Sequence, residues 1–176
     1  MRTLIIYTSQ TGFTKRYADW IAEKAKADIL DLKNAQKKND GFLEEYDSVI
    51  YASWCMAGKV VKADWFFNKT KNLKNKKLAV VAVGASPNDN PDVDVAMNNL
   101  LPEEQKQYIK VFYCQGGLDY DKMKFFSRFA LKMFVKALKK SKDEKQRGMG
   151  AYIDHSYDAT DIKYIDPILD FLGTEK

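Results

Sequence analysis

The sequence predicts a doubly wound α/β domain, in which a five-stranded parallel sheet lies between two layers of helices. Five short aliphatic runs alternate with longer segments whose apolar residues recur at helical spacing, and this alternation implies parallel strands joined by helical crossovers. A length of 176 residues is that of one domain, and neither a linker nor an internal repeat divides the chain. We therefore expect a single three-layer domain over residues 1–176.

The predicted strands are rich in β-branched and aliphatic residues, as strands buried on both faces are. They cover residues 3–7, 29–32, 48–52, 78–83 and 109–114. The intervening segments predict helices over residues 14–26, 61–71, 92–101, 122–140 and 161–172, with residues 151–153 as an extended link. Ligands of doubly wound sheets bind beyond the carboxyl ends of the strands, which are here the loops 8–14, 53–59, 84–90 and 115–121.

The composition excludes several kinds of site. Cys55 and Cys114 are the only cysteines and His155 is the only histidine, too few for a disulfide framework, a zinc cluster or a multi-histidine metal site. Cys55 has no second cysteine near it in the sequence, so both thiols are expected to act as small apolar groups. The chain has no secretory signal pattern and no long apolar run, which predicts a cytoplasmic protein. No metal site and no catalytic residue is assigned.

Positive charge is concentrated in one segment. The chain has a formal net charge of +5, but the segment that begins at Lys122 and ends at Arg147 holds ten basic and two acidic residues, a net of +8. The remainder of the chain is net −3. Nucleic-acid-binding domains usually spread positive charge along a face or groove of the fold. The distribution therefore argues against nucleic acid as a partner.

The loop 8–14 joins the first predicted strand to the first predicted helix and is rich in hydroxyl donors. A helix N-terminus presents unpaired N–H groups to an anion, and Gly12 lets the backbone approach closely or adopt positive φ. The loop contains no Lys or Arg and matches neither the P-loop nor the glycine-rich dinucleotide motif. These donors suit a phosphate monoester that is bound and not transferred. The alternative is a capping loop without a ligand.

The pattern Thr/Ser-x-Thr-Gly-x-Thr after a first aliphatic strand resembles that of the flavodoxins, in which this loop wraps the phosphate of flavin mononucleotide (FMN). The resemblance covers nearly the whole chain and implies a flavodoxin-like sheet of strand order 2-1-3-4-5 with FMN as cofactor. Gln10 falls on a variable position of the motif and Phe13 completes the loop. The positions that match the phosphate contacts of the family are Thr8, Ser9, Thr11, Gly12 and Thr14.

Two further loops are expected to hold the flavin ring, which needs apolar walls and backbone hydrogen bonds. By similarity to flavodoxins, the inner ring face is covered by residues Ser53, Trp54, Cys55, Met56, Ala57 and Gly58. The alternative for Trp54 is a plain packing residue. The second ring loop contains Gly84, Ala85 and Ser86 and lacks the aromatic residue common in flavodoxins. The outer ring face is therefore expected to lie open or to be covered by Tyr120.

The predicted helix 122–140 carries a basic stripe at every fourth position, formed by Lys124, Arg128, Lys132, Lys136 and Lys140. Phe125 and Phe129 fall within this stripe, where solvent is expected. The opposite face, predicted to pack on the sheet, contains Met123, Phe126, Ala130, Met133, Phe134, Ala137 and Leu138. Such a helix suits an anionic membrane surface, an acidic partner protein or a flat hydrophobic substrate. The alternative is a surface helix whose two phenylalanines tuck under a neighbouring loop.

Residues 115–123 and the helix after them resemble the menaquinone-dependent protoporphyrinogen oxidase group of the flavodoxin superfamily, as do Ala52 and Ser53 with Gly58. This resemblance implies an FMN-dependent oxidoreductase acting on a flat hydrophobic partner of protoporphyrinogen or quinone type, and a basic helix that guides such a partner or a membrane to the ring. Two alternatives stay open. One is a small electron carrier between protein partners, and the other is a flavin-free module that binds another anion.

Overall fold

The computed structural model describes residues 1–39, 41–56 and 58–174 of the chain. Its strands are β1 (Thr3–Thr8), β2 (Asp28–Asp31), β3 (Ser48–Met56), β4 (Lys59–Val60), β5 (Lys77–Gly84), β6 (Ile109–Gln115), β7 (Gly117–Leu118) and β8 (Tyr157–Asp158). Its α-helices are α1 (Phe13–Ala25), α2 (Leu32–Ala35), α3 (Ala63–Thr70), α4 (Pro91–Asn98), α5 (Glu103–Lys106), α6 (Phe125–Lys139), α7 (Glu144–Tyr152) and α8 (Asp166–Leu172). Single turns of 3₁₀-helix lie at Phe42–Glu45 and Ile162–Ile165.

The five long strands form one parallel sheet in the order β2-β1-β3-β5-β6, with the two-residue β4 paired antiparallel to the end of β3. Counted without β4, this is the predicted order 2-1-3-4-5, so the predicted fold class is confirmed. The chain leaves β1 for β2 on one side and returns to β3 on the other. The strand order therefore reverses between β1 and β3, where doubly wound sheets bind their ligands. The register places Thr8 beside Ser53 at this point.

Both faces of the sheet are covered by helices, which is why successive residues in the interiors of the central strands are apolar. Successive side chains of a strand point to opposite faces. On β1, Leu4 and Ile6 join a core that includes Phe66 of α3. Ile5 joins the opposite core, with Tyr17 of α1 and residues of α8.

Several predicted boundaries are corrected. The loop predicted over 53–59 is largely a β-hairpin, because β3 continues to Met56 and pairs with β4. The extended link predicted over 151–153 is wrong, because α7 runs to Tyr152. This helix is separate from α6 because Asp143 caps it, its carboxylate accepting a hydrogen bond from the Lys145 N–H. The last predicted helix is a 3₁₀ turn followed by α8.

Helix α6 packs against α7, and its predicted packing face is wrong in most positions. Val135 and Leu138 are its buried residues, in a small core with Tyr120 and Ile153. Gly150 of α7 permits this close approach, because a Cβ there would lie 2.9 Å from the Leu138 Cβ. The residues predicted to pack on the sheet but exposed to solvent are Phe126, Ala130, Met133, Phe134 and Ala137.

Within the part of the chain that the structure describes, none of the helices is both long enough and apolar enough to cross a membrane.

Candidate functional site

The loop 8–14 ends at an open helix N-terminus. Gly12 is the N-cap residue of α1, has φ = 104°, and provides no side-chain cap. The Gly12 N–H donates to Ser9 Oγ at 3.1 Å, which holds the loop in place. Arg16 N–H donates to the Gly12 carbonyl at 3.0 Å as the helix begins. The N–H groups of the first turn before Arg16 therefore have no partner within the helix and offer donors to a ligand.

Three threonine hydroxyls add to these donors. Among residues 1–39, 41–56 and 58–174, none of Thr8, Thr11 and Thr14 has a side-chain hydrogen-bond partner, although Thr14 is only 1% exposed. Thr11 and Thr14 line a cavity of about 660 Å³, and no Lys or Arg is among its described lining residues. A hydroxyl without a partner that lines a cavity is free to donate to a ligand, so Thr11 and Thr14 fit the phosphate end of FMN, whereas Thr8 does not line the cavity. The predicted loop residues Gln10 and Phe13 also line the cavity.

The tip of the β3–β4 hairpin forms a second wall of the cavity. Trp54, Cys55, Met56 and Gly58 line it, and Gly58 adopts φ = 74° at the turn. Ser53 is buried outside the cavity, and its hydroxyl donates to the Val61 carbonyl at 2.8 Å. Ala57 lies outside the described residues.

The Val61 backbone anchors the hairpin on both sides. The Val61 N–H donates to the Trp54 carbonyl at 3.0 Å, and the Tyr51 hydroxyl donates to the Val61 carbonyl at 2.9 Å. The hydroxyls of Tyr51 and Ser53 therefore hold the hairpin in position. Trp54 and Met56 form the surface of the hairpin that lines the cavity.

The third wall is formed by Gly84, Ala85 and Ser86, which two tyrosines hold in place. The Tyr113 hydroxyl donates to the Ser86 carbonyl at 2.8 Å and the Tyr157 hydroxyl donates to the Ala85 carbonyl at 2.6 Å. A Cβ at Gly84 would lie 2.5 Å from Tyr113 Oη, so glycine is required here. Burial raises the pKa of both tyrosines, which therefore remain protonated donors.

Most of the remaining lining comes from helices α4, α6 and α7, and none of these lining residues is predicted at the site from the sequence. Helix α4 contributes Asp92, Val93, Ala96 and Met97. Tyr120, predicted to cover the ring, is not among the cavity-lining residues. It lies in the small core below α6, and its hydroxyl donates to the Ile153 carbonyl at 2.6 Å. The apolar spacing of the helix predicts apolar faces but does not indicate which of them meets the cavity. The lining residues in this part of the chain are Met123, Ser127, Ala130, Leu131, Phe134, Met149 and Ile153.

Gln10 connects the loop 8–14 to this wall. Its amide nitrogen donates to Ser127 Oγ at 3.2 Å, and its amide oxygen accepts from the Lys124 N–H at 3.4 Å. The sequence motif treats Gln10 as a variable position. In the structure, the Gln10 side chain links the hydroxyl-rich loop to the start of α6.

The two cysteines are protonated at neutral pH. Burial raises the pKa of Cys55 to about 12 and that of Cys114 to about 12. A thiolate is the reactive form of cysteine, so neither side chain is an activated nucleophile. Cys55 contributes an apolar surface to the hairpin wall of the cavity.

Comparisons with known proteins find one family model and a set of solved structures. A model described as a flavodoxin domain matches residues 4–145. Similar structures include a WrbA-like flavodoxin from Agrobacterium tumefaciens, 18% identical with a TM-score of 0.48, covering 86% of this chain and 94% of that one. A Streptococcus pneumonia TIGR4 flavodoxin is 16% identical, with a TM-score of 0.42 and coverage of 88% and 96%. A Lactobacillus acidophilus flavoprotein in complex with FMN is 18% identical, with a TM-score of 0.39 and coverage of 65% and 91%. No curated protein matches the chain.

Proposed function

The chain belongs to the flavodoxin domain family, whose cofactor is FMN, and from this premise we propose an FMN-dependent oxidoreductase that acts on a flat hydrophobic molecule of protoporphyrinogen or quinone type. Bound FMN supplies hydride or electron transfer. The protein residues bind the cofactor, orient it and shield it from water.

The loop 8–14 is the proposed phosphate site. Its ligands are the first N–H groups of α1 and the hydroxyls of Thr11 and Thr14, which have no other hydrogen-bond partners in the described chain. A neutral cradle of this kind holds a phosphate without transferring it, because it lacks the lysine and metal ligands of phosphoryl-transfer sites. The ring is proposed to lie between the hairpin at Trp54 and the loop at Gly84, both of which line the same cavity.

The observation that carries the enzyme proposal is the apolar wall from α6 and α7. Ala130, Phe134 and Met149 line the same cavity as the loop 8–14. A volume of about 660 Å³ lies within the range of small-molecule sites, about 300–1,000 Å³. Such a wall favours a small apolar reactant that binds beside the cofactor.

A carrier that passes electrons to other proteins is the second candidate. Met56, at the hairpin tip, is 53% exposed and also lines the cavity. A protein partner could therefore contact the hairpin edge without entering the cavity. The basic segment would then favour an acidic partner protein.

One pair of variants separates these candidates. Ala130→Trp would fill the cavity beside α6, whereas Ala137→Trp adds the same ring at an exposed position outside the lining. For the enzyme, A130W lowers kcat/KM for a soluble quinone by about tenfold or more and leaves FMN absorbance unchanged, while A137W has no effect. Equal quinone turnover in both variants, with full electron transfer to a protein acceptor such as cytochrome c, would support the carrier instead. A purified protein without flavin absorbance would refute both.

A further inference from the structure

Helix α6 presents an apolar face to solvent. Its outward face, defined here as Phe125, Phe126, Phe129, Met133 and Phe134, is exposed to 76%, 83%, 58%, 52% and 48% respectively. The side of the helix that packs inward contains Val135 and Leu138. Contiguous exposed aromatic side chains are rare on proteins that function alone in solution, and they mark interaction surfaces.

The same helix carries unpaired positive charge. In the described chain, none of Lys124, Arg128, Lys132 and Lys136 has a carboxylate within salt-bridge distance. Lys122 precedes α6 and pairs with Asp119, and Lys139 is the last residue of α6 and pairs with Asp154. Neither lysine belongs to the outward face. Residues 122–147 keep a net charge of +8.

Charge decides which occupant suits this face. A second copy of the chain docked through the same helix would bring two segments of net +8 together, and like charges at an interface are unfavourable. An anionic lipid surface complements both properties. It attracts lysine side chains near its headgroups and accepts aromatic side chains at the acyl boundary.

We propose that the outward face of α6 docks on an anionic membrane surface, with the helix lying in the interfacial plane. Phe125, Phe126 and Phe129 enter the headgroup and acyl boundary, and the lysine side chains extend to the lipid phosphates. Phe134 belongs both to this face and to the cavity lining. Docking therefore brings the α6 wall of the cavity to the lipid surface, from which an apolar reactant would reach it. Only this last consequence depends on the proposed function.

Co-sedimentation of the full chain with vesicles tests the proposal directly. Phosphatidylcholine vesicles with and without phosphatidylglycerol are compared at low and high salt. We expect binding only to the anionic vesicles, weakened by salt because the basic side chains are screened. Absence of binding to anionic vesicles at low salt would overturn the proposal. The readout requires no turnover, so its failure is distinct from failure of the proposed function.

Paired variants test the role of each group. Phe126→Ser with Phe129→Ser should weaken vesicle binding by about tenfold or more, because the lost area is the inserted apolar surface. Val95→Ser with Ile162→Ser, exposed apolar positions on other elements, should leave it unchanged. Lys132→Glu with Lys136→Glu should also abolish binding, whereas Lys37→Glu with Lys38→Glu, the same change of charge at exposed positions after α2, should retain most of it.

Two other results would overturn the proposal. Equal binding by the phenylalanine variant and its control would overturn the proposed insertion. Concentration-dependent self-association of the chain in solution that F126S/F129S abolishes would assign the face to a second copy and also overturn it. Far-UV circular dichroism checks folding, and F126S alone, at the most exposed position of the face, replaces the double variant if that variant does not fold.

Discussion

Replacing Thr11 and Thr14 by valine is expected to release FMN without unfolding the protein. Valine keeps the branched shape of threonine and removes only the hydroxyl. In residues 1–39, 41–56 and 58–174 neither hydroxyl has a hydrogen-bond partner, and Thr14 is 1% exposed. The substitutions therefore break no bond within the described protein, and the stability of the cofactor-free chain should be unchanged or slightly raised.

The expected loss of affinity follows from the charge of the ligand. A hydrogen bond to a charged group contributes about 1.5–3 kcal/mol, so each valine should raise the Kd for FMN by about tenfold to 150-fold. The double variant should approach the product of the two factors if both hydroxyls contact the phosphate independently. Fluorescence titration of FMN, whose emission changes on binding, measures the Kd, and urea unfolding without FMN measures the stability.

Thr70→Val is the matched control. Thr70 is also fully buried, but its hydroxyl donates to the Phe66 carbonyl at 2.8 Å within α3. This variant should leave FMN affinity unchanged, with a change of at most about 1 kcal/mol in the free energy of unfolding. If T11V/T14V binds FMN within about threefold of the unmodified chain, the loop 8–14 is not the phosphate site and the reasoning fails.

Two further predictions concern a glycine of the cavity wall and the two thiols. Gly84→Ala should lower the free energy of unfolding by about 2–4 kcal/mol, because the new Cβ displaces the Tyr113 ring from its bond to Ser86. Gly148→Ala in α7, where a Cβ meets nothing within 4 Å, should instead stabilise by up to about 1 kcal/mol, and equal urea midpoints for the two variants would contradict the packing argument. Burial raises the pKa of Cys55 and Cys114 to about 12, whereas the pKa of a thiol in the unfolded chain is about 8.5. The folded state keeps both thiols protonated, and this stabilises it fully at pH values below the pKa of the unfolded thiol. The stabilisation is lost as the pH rises from that value towards the pKa of the thiols in the folded protein. The urea midpoint should therefore fall more steeply from about pH 8 to about pH 10 in the unmodified chain than in Cys55→Ala/Cys114→Ala, and parallel profiles would refute the shift.

The sheet was predictable because its strands are covered on both faces. Residues 4–7, 49–52 and 78–83, in the interiors of β1, β3 and β5, are apolar at every position, and this pattern depends only on local sequence. The hydroxyl-rich loop after β1 was also recognisable, since its residues and the following helix are contiguous. The order of the strands came from the resemblance to flavodoxins, and the pairing confirms it.

The cavity wall from α6 and α7 was not predictable from helical spacing. Apolar residues occur on most sides of α6, so the periodicity does not decide which side packs inward. That choice depends on α7, whose Gly150 approaches Leu138 closely. For the same reason Tyr120 was assigned to the ring although its hydroxyl binds Ile153. The extension of β3 through Trp54 likewise depends on hydrogen bonds to Val61 from Tyr51 and Ser53, which local propensity does not contain.

Gln10 joins the hydroxyl-rich loop 8–14 to the start of α6 through its hydrogen bonds with Ser127 and the Lys124 N–H. A displacement of α6 away from the cavity would therefore break both hydrogen bonds of this amide and remove a restraint on the loop that is proposed to hold the phosphate.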